Sequence, residues 1–257
     1  NLFPSVAPPV FSQHGGQVAN GFNLGITGTG TIYYTTDGSD PRDSLTSGTS
    51  LSITRSMTVQ ARAWSGVAWS ALTSADFLVG TTPGIGDLVI SEINYHPSDP
   101  TPAEFSAGFT DDDDFEFIEI RNTSAGPINL TDVSLVVSGS QSFSFGSLPT
   151  PADAVLSPGG HLVITFNNAG FSARYPGVPS FGDYSVRLSN NSDQVDLRLG
   201  DETVLFSVTY IDNSGWPESA DGGGYSLVLN PNAPSGIDPS SWRLSEFAGG
   251  NPGANDT

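Results

Sequence analysis

Residues 57–64 read MTVQARAW. Val59, Ala61 and Ala63 alternate there with Gln60, Arg62 and Trp64. Successive side chains of an extended chain point to opposite faces, so this period of two predicts a strand with one buried face and one open face. Comparable runs recur at short spacing: TIYYT (31–35), LVISEI (88–93), FEFIEI (115–120), VSLVV (133–137), HLVIT (161–165), TVLFSVTYI (203–211) and YSLVL (225–229). Gly, Pro, Asn or Asp punctuate the intervals. Many short strands separated by turn residues predict an all-β chain of packed sandwiches.

Composition agrees. The chain has 257 residues, 30 Gly, 19 Pro, a single Met and no Lys, which leaves little material for long helices. The length exceeds what one small core needs and predicts two domains. The clearest internal break is VGTTPGIGD, residues 79–87. Domains are therefore expected at 1–80 and 87–257, joined by a linker at 81–86.

Charge narrows the partners. Against 27 acidic residues there are only 8 basic ones, all Arg, for a net charge of -19. A field of that sign repels phosphate backbones and anionic lipid, which argues against nucleic acid. No apolar run approaches the roughly 20 residues that span a bilayer, so membrane insertion is not expected. The absence of cysteine excludes disulfide staples and fits an exported bacterial protein. The chain starts at Asn1 with no charged and apolar leader, as a mature or excised piece would.

GTIYYTTDGSDPR (30–42) raises a question of chemistry. Asp37 and Asp40 are suited to accept backbone N–H groups within a tight turn, Gly38 tolerates positive φ, and Pro41 stops the ladder. With SLSITRSMTVQARAWSGVAWS (50–70) behind it, this stretch resembles the C-terminal repeat of chitobiase and related β-hexosaminidases over about residues 8–79. The resemblance implies a small Ig-like sandwich attached to enzymes or surface proteins, not itself a catalyst.

A second resemblance covers residues 87–257. LVISEINYHP (88–97), FEFIEIRNTSAGPINLTDVSL (115–135), LSPGGHLVI (156–164), RLSNNSDQVDLRL (187–199), VTYIDNSGWP (208–217) and the closing GGNPGAND (249–256) follow the order of bacterial lamin tail domains. That family is also Ig-like. Two departures stand out: Ser98 to Asp114 is longer than usual there, and LTDVSL replaces the usual LSGW. The pairing of these two modules implies a large exported or surface protein whose catalytic domain lies elsewhere in the polypeptide.

Candidate sites follow from the residues. Trp64, with Gln60 and Arg62 on the same face, can be read two ways: as a platform that stacks on a sugar ring while the polar pair bonds its hydroxyls, or as a ring that packs against the core or a neighbouring domain. Trp69, Trp216 and Trp242 lie near turns and are expected to plug sandwich ends. DDDD at 111–114, with Glu116, admits two readings: a solvated loop, or a Ca²⁺ site built from Asp111, Asp112, Asp113, Asp114 and Glu116. In FEFIEI both strand faces carry apolar bulk, so Glu119, like Glu92, needs a partner. Arg121 points to the side of Glu119.

No H-E-x-x-H, G-x-S-x-G or Cys-based pattern accompanies His14, His96 and His161. Glycoside hydrolysis needs two carboxyls across a cleft at about 5–10 Å, which small sandwiches seldom provide. The expected function is non-catalytic: an accessory part of a secreted or cell-surface bacterial protein, binding extracellular polysaccharide or matrix, with or without calcium. A spacer or protein-interaction module that positions a catalytic domain is the alternative, and a glycoside hydrolase ranks last.

Overall fold

The computed structural model describes residues 4–150, 153–231 and 236–256. They form mostly strands and divide into two compact units, one of residues 4–81 with 149–150 and 153–155, the other of 82–148, 156–231 and 236–256. The division falls within the Gly/Thr/Pro stretch 79–87.

In the first unit, β1 (Val10–Phe11), β3 (Phe22–Thr27) and β5 (Ser50–Ile53) make one sheet in the order β1-β3-β5. The strands β2 (Gly16–Val18), β4 (Thr31–Thr35), β6 (Met57–Trp64) and β7 (Thr73–Val79) make the other, in the order β2-β7-β6-β4. Only β2 and β7 run parallel within it. Side chains from both sheets meet in one core, including Phe11, Leu24, Ile26, Ile32, Val59 and Phe77. Gly30 opens β4 with φ +88, and a Cβ there would collide with the carbonyl of Trp64, so the turn into β4 requires glycine.

The second unit follows the same plan on a larger scale. Its strands are β8 (Leu88–Asn94), β9 (Phe117–Asn122), β10 (Ile128–Asn129), β11 (Val133–Val137), β12 (Ser140–Ser144), β13 (Val155–Leu156), β14 (His161–Thr165), β15 (Ser192–Leu199), β16 (Val204–Ile211), β17 (Leu227–Leu229) and β18 (Trp242–Leu244). A five-stranded sheet in the order β14-β9-β8-β17-β18 faces a four-stranded sheet β12-β11-β15-β16. Ile90, Ile118, Ile120, Leu135, Val195, Leu197 and Val208 pack between them, and Tyr95 stacks on Tyr210 at 4.4 Å.

Two short helices interrupt the strands: α1 (Pro102–Ser106) and α2 (Asn168–Arg174). The first lies inside the stretch 98–114 that composition assigns to a loop. Thr101 and Glu104 form a capping box and Pro102 begins the helix, signals that suffice for one turn. Arg174 of α2 fixes it: Nε and Nη2 donate to Glu104 at 2.9 and 3.0 Å, Nη1 donates to the Ser98 carbonyl at 2.9 Å, and the guanidinium lies 3.3 Å over the Phe115 ring. Among the described residues no helix is long and apolar enough to cross a membrane.

Candidate functional site

In β6 the alternation read from the sequence is present: Met57, Val59, Ala61 and Ala63 are buried, while Gln60, Arg62 and Trp64 are half-buried on the other face. Antiparallel pairing with β4 sets Thr31 opposite Trp64, Tyr33 opposite Arg62 and Thr35 opposite Gln60, so all six share that face. Trp69 joins them through an isolated bridge to Trp64. Its ring centroid lies 5.0 Å from that of Trp64 and 5.3 Å from that of Tyr33. Trp69 therefore plugs no sandwich end; it extends an outward aromatic cluster. Trp216 and Trp242 are buried in the core of the second unit.

The DGSDPR turn supports this face from below. Asp37 accepts the Ser39 N–H at 3.0 Å, and Asp40 accepts the Arg42 N–H at 3.0 Å, capping a 3-10 turn over Pro41–Asp43. Asp40 also receives Arg42 Nη2 at 2.7 Å and Arg62 Nε at 3.0 Å. The Arg42 hydrogen bond, with help from Arg62, holds its carboxyl down at about 2. Arg62 Nη1 donates to the Ser70 carbonyl at 2.8 Å. The guanidinium is thus fixed beside the aromatics, and the Gln60 side chain has no hydrogen bond among the described residues. The result is a cluster of aromatic rings, tilted by 44° between Trp64 and Trp69 and by 64° between Tyr33 and Trp69, edged by an amide and an oriented cation; each ring face can stack on a ring that also carries hydroxyls.

The aspartate run folds as a 3-10 turn over Asp112–Phe115, with Asp111 and Asp114 forming its capping box. Three of the four carboxylates have a hydrogen-bond partner, and Asp112 Oδ2 is sealed from solvent without one among the described residues. Asp111 accepts the Asp113 N–H at 3.3 Å, Asp112 lies 3.4 Å from His96 Nε2, Asp113 receives Arg187 Nη1 at 2.6 Å, and Asp114 receives Asn167 Nδ2 at 2.8 Å. His96 Nδ1 contacts Asp221 at 2.5 Å, which makes the imidazole a bridge between two acids.

Of the five residues considered for Ca²⁺, the structure brings Asp111, Asp112 and Asp113 together, with oxygens within 4.8 Å of one another on the wall of a cavity of about 540 Å³. Asp114 turns toward α2, where Asn167 caps the helix. Glu116 enters the core with no exposed surface. Its Oε2 accepts the Tyr184 hydroxyl at 2.9 Å and the Leu188 N–H at 3.0 Å, and its Oε1 has no partner. Burial pushes its carboxyl up to about 9, so it is a neutral acid at pH 7 and a poor ligand for a hard cation.

Glu119 and His161 are knitted into the fold. Glu119 Oε1 accepts the Ser91 hydroxyl at 2.6 Å and faces His161 Nδ1 at 2.7 Å, while Oε2 accepts the Gly253 N–H at 2.7 Å. His161 Nε2 faces Asn255 at 3.2 Å. Ser91 and His161 thus share Glu119 and make no hydrogen bond to each other among the described residues, unlike a nucleophile and its base. Sequence reasoning saw that Glu119 needs a partner. It missed which one, because His161 is 42 residues away.

The order of strands and the closing turn around Glu92 and Glu119 can be set beside known proteins. The lamin tail domain family model matches residues 81–212, just over half of the 257. The chain belongs to the lamin tail domain family. Ahead of that match, the chitobiase/beta-hexosaminidase C-terminal domain model matches residues 13–72. In this lamin tail protein β17, β18 and the closing turn lie beyond the family match and complete the five-stranded sheet. No curated protein matches the chain. A crystal structure of a DUF4876 family protein from Bacteroides thetaiotaomicron is similar at 11% identity and a TM-score of 0.37, covering 90% of this chain and 92% of that one.

Proposed function

We propose that this lamin tail protein is a non-catalytic accessory segment of a secreted or surface-attached bacterial protein, and that its first unit binds extracellular polysaccharide. One observation carries the reading: Trp64, Trp69 and Tyr33 cluster on the outward face of a sheet whose other face already fills the core. Large aromatic rings are normally withdrawn from water, so three gathered on an open face favour a ligand with an apolar side. Gln60 supplies amide donors and acceptors at the edge, and Arg62, held by Asp40, gives a fixed positive rim. The match to a domain described from chitobiase and β-hexosaminidase agrees with a sugar ligand.

Co-sedimentation with insoluble polysaccharides tests the proposal. The full chain is expected to pellet with at least one polymer, and Trp64→Ala and Trp69→Ala are each expected to stay in the supernatant. Equal pelleting of parent and variants contradicts it. A spacer that only positions a catalytic domain is the second reading, favoured by the way Asp40 and Ser70 occupy Arg62. A spacer passes every polymer unbound.

A further inference from the structure

Arg121 differs from the other arginines. Arg42, Arg62, Arg174, Arg187, Arg198 and Arg243 each meet a carboxylate. Arg55 is exposed. Arg121, on β9, is half-buried, its Nε is sealed from solvent without a hydrogen-bond partner, and it makes no ion pair among the described residues. This occurs in a chain with 27 acidic residues. The nearest candidate along the strand, Glu119, is already taken by Ser91, His161 and Gly253. A partly desolvated guanidinium with no acceptor destabilises the free protein and gains from any anion delivered to it.

Arg121 lies on the wall of a cavity of about 430 Å³ within the second unit. The wall is otherwise largely apolar, with Ile85, Val89, Leu229 and Ile237 contributing, and Ile85 and Ile237 are 79% and 67% exposed. Four successive residues of β16, Val204 to Ser207, also line it. Successive strand residues point to opposite faces, so a wall made of all four runs along the strand's edge. Among the described residues no strand pairs with that edge: β16 ends its sheet, with β15 as its one strand neighbour. Unpaired strand edges accept another extended chain through main-chain hydrogen bonds.

The geometry points to this groove as a docking site for an extended, apolar peptide segment of a partner protein that carries one Asp or Glu. The segment pairs with the outer edge of β16, lays its apolar side chains on Val89 and Leu229, and delivers its carboxylate to Arg121. Local charge decides the class: Arg121, which makes no ion pair among the described residues, selects an acidic residue at that point of the groove. This site is separate from the aromatic face of the first unit and stands whether or not that face binds sugar.

The test immobilises the full chain and pans a phage-displayed library of random nine-residue peptides, with Arg121→Met as the counter-selection. The expected result is enrichment of peptides with Asp or Glu flanked by Val, Ile, Leu or Phe. A synthetic peptide of the enriched sequence should lose roughly tenfold or more in affinity with Arg121→Met. It should lose as much with Ile237→Asp, a change at an exposed rim position that leaves the core untouched and so remains informative if Arg121→Met does not fold. N-methylation of alternate peptide amides should abolish binding. No enrichment over the counter-selection, enriched peptides without an acid, or equal affinity for both variants overturns the proposal. Decanoate binding that depends on Arg121, with no peptide enriched, also overturns it and assigns the groove to a small amphiphile.

Discussion

Glu92 and Glu119 sit opposite each other in the register of β8 and β9 and close on the same C-terminal turn. Glu92 Oε1 accepts the Asn251 N–H at 3.1 Å and the Ser226 hydroxyl, and Glu119 Oε2 accepts the Gly253 N–H at 2.7 Å. Two buried acids that repel each other are thus satisfied by backbone donors from the last residues of the fold.

Gly250 tests that clasp. Its φ is +82, and a Cβ there would collide with Glu92 Oε1. Gly108 has φ +103 with nothing within 4 Å, so Gly108→Ala reports backbone strain alone. Gly108→Ala is expected to cost about 1 kcal/mol and Gly250→Ala about 2–4 kcal/mol in urea unfolding. Equal losses contradict the clasp.

Burial raises the carboxyls of Glu92 and Glu116, to about 8 and about 9. The folded state therefore holds these protons more tightly than the unfolded chain, where a Glu titrates near about 4.3. Their contribution to stability is complete below that value and is lost as pH climbs toward 8 and 9. Asp40 and Glu104 act in the opposite sense: held at about 2 chiefly by hydrogen bonds from Arg42 and Arg174, they contribute above the ordinary carboxylate range and fail as pH falls through 2. Stability should therefore peak at about pH 4, where an unfolded carboxyl is roughly half-protonated. In Glu116→Gln the fall in urea midpoint between pH 5 and 9 should shrink; an unchanged slope counts against a neutral Glu116.

The acidic turn has one fixed counter-charge, Arg187, and capping bonds of its own. Asp113 has Arg187 and Asp112 has His96, and Asp111 is spent on capping. The melting temperature is expected to be the same in chelator and in about 1 mM calcium, a concentration that fills weak extracellular sites. A rise of several degrees with calcium would assign the Asp111–Asp113 cluster to the metal.

Strands that alternate cleanly were legible in the sequence, and so was the shared face of Gln60, Arg62 and Trp64, because that information is local. Tyr33 was not assigned to the face, since its place depends on the register of β4 against β6. Trp69 lies between strands, where no period applies, and only its bridge to Trp64 brings it there. The aspartate run was legible as acidic but not as paired: Arg187 and Asn167 are 74 and 53 residues from their partners. The one-turn helix at Pro102–Ser106 was signalled by Thr101 and Glu104 but masked by the loop-like composition around it.

The most direct test of the polysaccharide reading uses the indole N–H signals of the four tryptophans, assigned by single substitutions. On titration with soluble fragments of a polymer that retains the chain, the Trp64 and Trp69 signals should shift while those of Trp216 and Trp242 stay in place. Unmoved Trp64 and Trp69 signals at saturating oligosaccharide would contradict the account.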